Sequence, residues 1–234
     1  MTDSWTIPAY KIRESKRARR MTIKVSSWTG LEVVVPVGFD RSDIPEFLRS
    51  KARWIRKSLE RAHPVEELKR PESIPLGLLG ETWFVEYSIS PARRVNLSEQ
   101  AGNVLVLTGP VDRPVAVAAA LNGWLQKRAE GVLAPWLGRL SAELSLSFSR
   151  VSVRRQKTKW GSCSAQKSIS LNRNLLFLPE PMARYVLVHE LCHGRRLDHS
   201  KRFWSLLETF EPSARQTAAK VRGAAESVPQ WAMV

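Results

Sequence analysis

The segment His189-Glu190-Leu191-Cys192-His193 constrains this chain more than any other. On an α-helix, residues i and i+4 share one face with Cβ atoms about 5–6 Å apart, so His189 and His193 can reach a single ion. Glu190 lies about 100° around the helix from the first imidazole, where it can take a proton from a metal-held water. This is the H-E-x-x-H arrangement of zinc hydrolases. It predicts a catalytic zinc site in which Glu190 is the general base.

The chain after this helix supplies a third candidate ligand. A catalytic zinc needs three protein ligands and one open position for water. Three of the four histidines lie within eleven residues, and the last of these is His199. Gly194 could end the helix in the left-handed conformation and turn the chain back. Asp198 is the alternative ligand, although it could instead orient an imidazole. We therefore predict Zn2+ bound by His189, His193 and His199.

The helix that carries the motif is predicted to be buried. It opens at Glu180-Pro181, where proline is acceptable because the first helical N–H groups have no partner within the helix. Its apolar residues cover nearly all sides and include Tyr185, Val186, Leu187, Val188 and Leu191. Imidazoles buried without a partner would be costly, whereas a metal would satisfy both of them. The apolar surroundings thus favour metal binding over the alternative, a coincidental pattern in a core helix.

Further motifs flank the helix and carry a family resemblance. Trp160-Gly161-Ser162-Cys163-Ser164 and Leu171-Asn172 precede it, and His199-Ser200 through Phe203-Trp204 follow it. The stretch from Arg154 to Trp204 resembles the YgjP-like metallopeptidase family, which is related to the SprT-like and WLM proteases. The resemblance extends more weakly to Ser15-Lys16-Arg17-Ala18-Arg19-Arg20 and the hairpin after it. It implies that the three histidines bind zinc, that Glu190 is the general base and that the reaction is hydrolysis.

The spacing from His193 to His199 equals that of metzincins, but the rest of their pattern is missing. Arg196 occupies the position of the metzincin glycine, and the glycine stands at 194 instead. The only methionine downstream is Met233, so a methionine turn below the metal is not expected. The metzincin family is therefore a poor second interpretation.

Composition is typical of a globular intracellular enzyme. With 234 residues and 43% hydrophobic content, the chain can bury a substantial core in one domain or in two closely associated ones. The N-terminus lacks the charged and then apolar pattern of a signal peptide, and no apolar run approaches the length of a membrane span, so we expect a cytoplasmic protein. Of the two cysteines, Cys192 is expected to be a small buried residue, and packing is favoured for Cys163 over a role as an extra ligand.

Charge is the second feature with functional content. The chain has 37 Lys and Arg against 22 Asp and Glu, a net charge of +15. The densest basic run is Lys11 to Arg20, and the helix predicted over Ser42 to Ala62 adds six more cations. A basic surface suits a nucleic acid or nucleotide partner, which we predict as a possibility beside a peptide or protein substrate. The alternative is a solvated basic face that only keeps the protein soluble.

The predicted fold class is α+β, with a β-rich region over residues 1–112 and a zincin-like catalytic domain over residues 113–234. The first region contains a hairpin, one basic amphipathic helix and further strands. The second contains a long helix that backs the zinc helix, a short hairpin around the Trp160 loop, the zinc helix and a final helix. The elements are predicted at 21–25, 31–35, 42–62, 82–89, 104–107, from 114 with an interruption at Pro135, around 151–153 and 169–171, from 180, and after Ser200. Residues 64–75 are predicted to form a loop, and Ser168 to Asn172 an exposed edge strand for substrate.

Three functions fit these features. The leading one is a zinc-dependent peptidase in which Glu190 activates a metal-bound water. The second keeps the metal and changes the substrate to a nucleoside triphosphate or another phosphate ester, because cations beside a Lewis acid suit phosphoryl oxygens. The third is a nucleic-acid-associated module with a structural zinc. Glu190 counts against this last hypothesis, since a purely structural site has no use for a base.

Overall fold

The computed structural model describes residues 5–26, 30–61 and 68–233. These residues form two compact units, which divide after Lys69. Helices and strands both occur in each unit, so the predicted α+β class is confirmed. None of the helices in the described ranges is long and apolar enough to cross a membrane. The fourth histidine, His63, lies outside the described residues.

The first unit is a three-stranded sheet with two short helices. Strands β1 (Tyr10–Glu14), β2 (Thr22–Ser26) and β3 (Gly30–Val35) follow the order β1-β3-β2. Strand β2 pairs antiparallel with β3, which confirms the predicted hairpin, and β1 adds a parallel edge. A 3-10 turn leads into helices α1 (Ile44–Ser50) and α2 (Ala52–Arg61). The core of the unit consists of Leu31, Val33, Val35, Ile44, Leu48 and Ile55.

The single helix predicted over Ser42 to Ala62 is two helices in the structure. The backbone leaves the helical region at Lys51, with φ −110° and ψ 11°, and helix α2 begins one residue later. The apolar residues continue at helical spacing across this break, so Ile44, Leu48 and Ile55 still reach the same core. Periodicity alone therefore could not show the interruption.

The second unit begins with a four-stranded sheet. Strands β4 (Ser73–Leu76), β5 (Glu81–Ile89), β6 (Asn96–Gln100) and β7 (Val104–Gly109) follow the order β4-β5-β7-β6. Two differences from the prediction occur here, because β4 lies largely in the segment predicted as a loop and β6 lies between the strands predicted at 82–89 and 104–107, where no strand was expected. Both are edge strands with few buried side chains, since β4 buries only Ile74 and Leu76 and β6 buries none, and each therefore gives a weak apolar signal. The sheet belongs to the same compact unit as the catalytic motif, so the division falls after Lys69 and not at residue 112.

Helix α3 (Pro114–Glu143) runs through Pro135, where a break or a kink was expected, so the break does not occur. A proline inside a helix removes one hydrogen bond and costs about 3 kcal/mol. The leucines at 133, 137 and 140 are buried on both sides of it. Burial of this stripe favours a continuous helix despite the proline. Helix α3 contacts the helix that carries the His189-to-His193 motif, as predicted.

A second three-stranded sheet leads to the catalytic motif. Strands β8 (Arg150–Arg154), β9 (Gly161–Cys163) and β10 (Ser168–Asn172) follow the order β8-β10-β9. Strands β8 and β10 are parallel, and the hairpin is formed by β9 and β10. Strand β10 is therefore central and cannot be the exposed edge predicted for it. Strand β9 is the edge strand beside the motif, and its three residues carried no strand signal.

The remaining elements enclose the helix that bears the motif. A buried 3-10 segment (Arg173–Phe177) precedes α4 (Glu180–His193), which is followed by α5 (Lys201–Phe210), α6 (Ala214–Gly223), a 3-10 turn (Ala224–Ser227) and α7 (Gln230–Met233). Helix α4 packs against α3, α5, α6 and β9. Nine of its fourteen residues are buried, as its apolar composition predicts. The motif is thus held on an element with little freedom to move.

Candidate metal centre

Three imidazole nitrogens converge at the C-terminal end of α4. The Nε2 atom of His189 lies 3.1 Å from Nε2 of His193 and 3.1 Å from Nε2 of His199. All three ring nitrogens lie within 4.8 Å of one another. The first two residues are one helical turn apart on α4, and the third lies in the loop between α4 and α5. The structure therefore brings together the three residues that the sequence proposed as ligands.

This spacing fits a tetrahedral metal ion. Imidazole nitrogens bind zinc at about 2.0–2.1 Å, which places two ligands of a tetrahedron about 3.3–3.4 Å apart. Burial, with the nearby imidazoles of His193 and His199 adding to it, lowers the pKa of His189 to about 3. Burial also lowers the pKa of His193. Neutral imidazoles keep the nitrogen lone pair that a metal requires.

The outer ring nitrogens of two histidines have partners that orient the rings. His193 Nδ1 lies 2.8 Å from the carbonyl oxygen of Arg196, to which it can donate. His189 Nδ1 lies 3.3 Å from the hydroxyl of Tyr185, one turn earlier on α4. A hydrogen bond at Nδ1 directs Nε2 towards a metal and raises its basicity. The sequence predicts Tyr185 only as one of the apolar residues of the helix, although Tyr185 precedes His189 by four residues and therefore lies on the same helix face.

Glu190 is buried beside the histidines, with 5% of its surface exposed. Burial raises its pKa to about 8, and the positive charge of Lys159 opposes this rise. Its Oε2 atom is buried and has no hydrogen-bond partner within the described part of the chain. A buried carboxylate oxygen without a partner is costly, and a water held by a metal ion would satisfy it. A dication nearby would also lower its pKa.

Gly161, the first residue of β9, makes room for this carboxylate. A Cβ atom added at Gly161 would lie 2.7 Å from both Cγ and Oε1 of Glu190. Real Cβ contacts essentially never fall below 3.0 Å. The glycine of the Trp160-Gly161-Ser162 motif is therefore explained by contact with the acidic residue of the helix. The sequence contains both residues but not their proximity.

Asn172 and Trp160 fix the loop in front of β9. The side-chain amide of Asn172 donates to the carbonyl oxygens of Gln156 and Lys159, each at 2.9 Å. The indole Nε1 of Trp160 donates to the carbonyl of Val221 on α6 at 3.1 Å. The Leu171-Asn172 pair and the tryptophan thus hold one wall of the site in place. Neither role could be assigned from the sequence.

The aromatic ring of Phe203 packs against all three imidazoles. Its ring is fully buried, and its centroid lies 4.9 Å from that of His189, 4.6 Å from that of His193 and 5.0 Å from that of His199. The ring is stacked on His193, with an interplanar angle of 23°. His189 and His193 both lie on α4, so Phe203 packs against that helix. Its contact with all three candidate ligands was not predicted.

The family comparison agrees with this geometry. The model of the YgjP-like metallopeptidase domain matches residues 19–223. The chain belongs to the YgjP-like metallopeptidase family. Among solved structures, the metallopeptidase zymogen of Pyrococcus abyssi abylysin is 25% identical over 38% of this chain and 91% of its own, with a TM-score of 0.35. No curated protein matches the sequence.

The loop of this YgjP-like site differs from the sequence prediction at Gly194 and agrees with the preference for His199 over Asp198. Gly194 is right-handed, with φ −61° and ψ −20°, and is not the left-handed cap that was expected. Its lack of a side chain matters because a Cβ would lie 3.0 Å from the carbonyl oxygen of Ser147. Asp198 does not belong to the histidine group. Its carboxylate instead accepts a hydrogen bond from the backbone N–H of Ser200, at the start of α5.

Neither cysteine belongs to the histidine group. Cys192 is fully buried, and Cys163 is half-buried outside the histidine group. In the first unit, the guanidinium of Arg13 pairs with Glu32 at 3.1 Å. Binding of nucleic acid by the basic run and a cytoplasmic location remain predictions, since neither the fold nor the family comparison supports them.

Proposed function

We propose that this YgjP-like metallopeptidase is a zinc-dependent peptidase in which His189, His193 and His199 bind the metal and Glu190 is the general base. The observation that carries the proposal is the convergence of three Nε2 atoms beside a buried carboxylate oxygen for which the described residues provide no hydrogen-bond partner. His189, His199 and Glu190 line a cleft of about 420 Å³, which has room for a substrate chain. A structural zinc site would be closed and would need no such base.

Zinc bound by these residues would polarise the scissile carbonyl and make a water molecule acidic enough to lose a proton near neutral pH. Glu190 Oε2 accepts that proton and then passes it to the departing amine, so that the carboxylate is regenerated. Its packing against Gly161 keeps it at a fixed position relative to the imidazoles. Tyr185 and the Arg196 carbonyl hold two of the imidazoles in the orientation that binding requires.

Strand β9 is the element best placed to bind a substrate backbone. It pairs with β10 on one side only, and its first residue contacts Glu190. An extended peptide that adds to an exposed strand edge gains backbone hydrogen bonds without regard to its sequence. We therefore assign to β9 the substrate-binding role that was first expected of Ser168–Asn172.

Two variants test the assignment of roles. Glu190→Gln keeps the side-chain shape and removes the proton acceptor, so zinc content should stay at one ion per chain while the rate falls by about 10²–10⁴-fold. His199→Ala removes one ligand, so zinc affinity should fall while the fold is kept. Zinc is measured by mass spectrometry of the purified protein, and activity with a mixed peptide library. A Glu190→Gln protein as active as the wild type would exclude the proposed mechanism.

Hydrolysis of a phosphate ester is the second candidate function. The observation that favours it is that Lys159 and Arg222 line the same cleft as His189 and His199. Cations beside a Lewis acid can stabilise the charge of a transferring phosphoryl group. Nucleoside triphosphates should therefore be tested beside the peptide library with the same two variants. Release of phosphate or pyrophosphate that depends on Glu190, with no peptide cleavage, would replace the peptidase proposal.

A further inference from the structure

The charged residues that line the catalytic cleft are strongly unbalanced in sign. Lys159 precedes β9 and Arg222 lies in the last turn of α6, and both line the cleft. Both are exposed, and neither forms an ion pair with another residue in the described part of the chain. Glu190 is the only acidic residue in the lining, and it is buried at the base of the cleft. A bound metal would add further positive charge.

The two cations are near enough to act on the groups of the site. The charge of Lys159 opposes the effect of burial on the pKa of Glu190. The charge of Arg222 likewise opposes the effect of burial on the pKa of Tyr185. Both residues line the same cleft, Lys159 on the loop before β9 and Arg222 on α6. A substrate group bound in this cleft is subject to both charges.

A second cavity continues the same charge pattern. It has a volume of about 460 Å³ and shares Lys159, Trp160, Val221 and Arg222 with the catalytic cleft. Trp160 and Val221 line both cavities and are joined by a hydrogen bond from the indole N–H to the backbone carbonyl. Lys157 also lines the second cavity, and none of the described residues in its lining is acidic. The charged side chains that a peptide meets beyond Trp160 are therefore all cationic among the described residues.

We infer that Lys159 and Arg222 are specificity residues that select peptides with an aspartate or glutamate side chain close to the scissile bond. This inference rests on the proposed peptidase function. A carboxylate placed between them would form charge-assisted hydrogen bonds, and a guanidinium can hold it through two parallel bonds. A lysine or arginine of the substrate at the same place would face two like charges and would be rejected. The cavity beyond Trp160 favours further acidic residues in the same direction.

The test uses a set of peptides that share one sequence except at a single position near the scissile bond, which carries Asp, Asn or Lys. The position is moved through three residues on each side of that bond. At the preferred position, the Asp peptide should exceed the Asn peptide in kcat/KM by about 10- to 100-fold, as expected for hydrogen bonds to a charged group. The Lys peptide should be the poorest substrate. Arg222→Glu and Lys159→Glu should each reduce or reverse this order.

Lys220→Glu is the matched control, since this exposed residue lies on α6 and lines neither cavity. It makes the same change of net charge and should leave the order of the three peptides unchanged. Arg222→Gln and Lys159→Gln provide milder variants that remove the charge without adding a repulsive one. Thermal melting of all five proteins shows whether they are folded.

Binding of the same peptides to the Glu190→Gln protein separates this inference from the proposed function. Fluorescence anisotropy should show tighter binding of the labelled Asp peptide, with an affinity that weakens as salt rises. Equal binding and equal cleavage of the Asp, Asn and Lys peptides would overturn the inference and leave the peptidase function standing. Absence of cleavage with a retained preference for the Asp peptide, lost in Arg222→Glu, would sustain the inference while the peptidase function failed.

Discussion

Replacement of Gly161 by alanine tests whether the position of the Glu190 carboxylate controls catalysis. The new Cβ would lie 2.7 Å from Cγ and Oε1 of Glu190 and 2.9 Å from its Cδ. Carbon atoms in contact normally lie about 3.5–4.0 Å apart, so the carboxylate or the strand must move by about 0.8 Å. Since Glu190 is 5% exposed, it has little free space for this movement.

The expected effect on the rate is large because the displaced group is the proposed base. A misplacement of about 1 Å can cost about 10²-fold in rate, so kcat of Gly161→Ala should fall by roughly that factor. Overpacking should also destabilise the protein by about 1–3 kcal/mol. Zinc content should be unchanged, because the three atoms nearest to the added methyl group all belong to Glu190 and none belongs to a histidine.

The assay measures kcat, KM, zinc per chain and the denaturant midpoint of wild-type and variant protein. Gly138→Ala is the matched control, since a Cβ at this helical position meets nothing within 4 Å. It should keep full activity and gain about 0.5–1 kcal/mol in stability. Wild-type kcat in a stable Gly161→Ala protein would show that the carboxylate can shift without consequence, and would refute the role assigned to Glu190.

Three further predictions follow from the packing and the charges. Phe203→Ala should cost about 3–5 kcal/mol in denaturant unfolding and weaken zinc binding in a chelator titration, because the buried ring supports all three imidazoles. Removal of zinc by a chelator should lower Tm, since a ligand at 100 times its Kd adds about 2.7 kcal/mol to the stability of the folded state. Burial acts to raise the pKa of Glu81, but hydrogen bonds from Trp83 and Arg128 outweigh it and lower the pKa. Its stabilising effect is therefore present above the unfolded pKa of about 4.3 and is lost as pH falls through the folded value, so Glu81→Gln should be less stable than wild type at pH 7, and the difference in denaturant unfolding should shrink as the pH falls below the unfolded pKa.

Local patterns were sufficient for the features that depend on neighbours along the chain. The i and i+4 spacing of His189 and His193 defines one face of a helix whatever the helix packs against. The β2–β3 hairpin and the buried helix α4 likewise follow from alternation and apolar content. The short return from His193 to His199 limited the third ligand to very few residues. For these reasons the three histidines and Glu190 could be proposed from the sequence.

Only the tertiary structure decided which surfaces meet at the site. Three features of the site join segments that are far apart in sequence. They are the contact of Gly161 with Glu190, the packing of Phe203 against the imidazoles, and the presence of Lys159 and Arg222 in one cleft. The position of β9 at the edge of its sheet was also invisible, because three residues are too short for a periodic signal. Hydrophobic periodicity reports which side of an element is buried, but it does not name the element that covers that side. The sequence thus determined which residues are the candidate metal ligands and the candidate base, and packing between distant segments determined how Glu190 is positioned and which charged residues line the cleft.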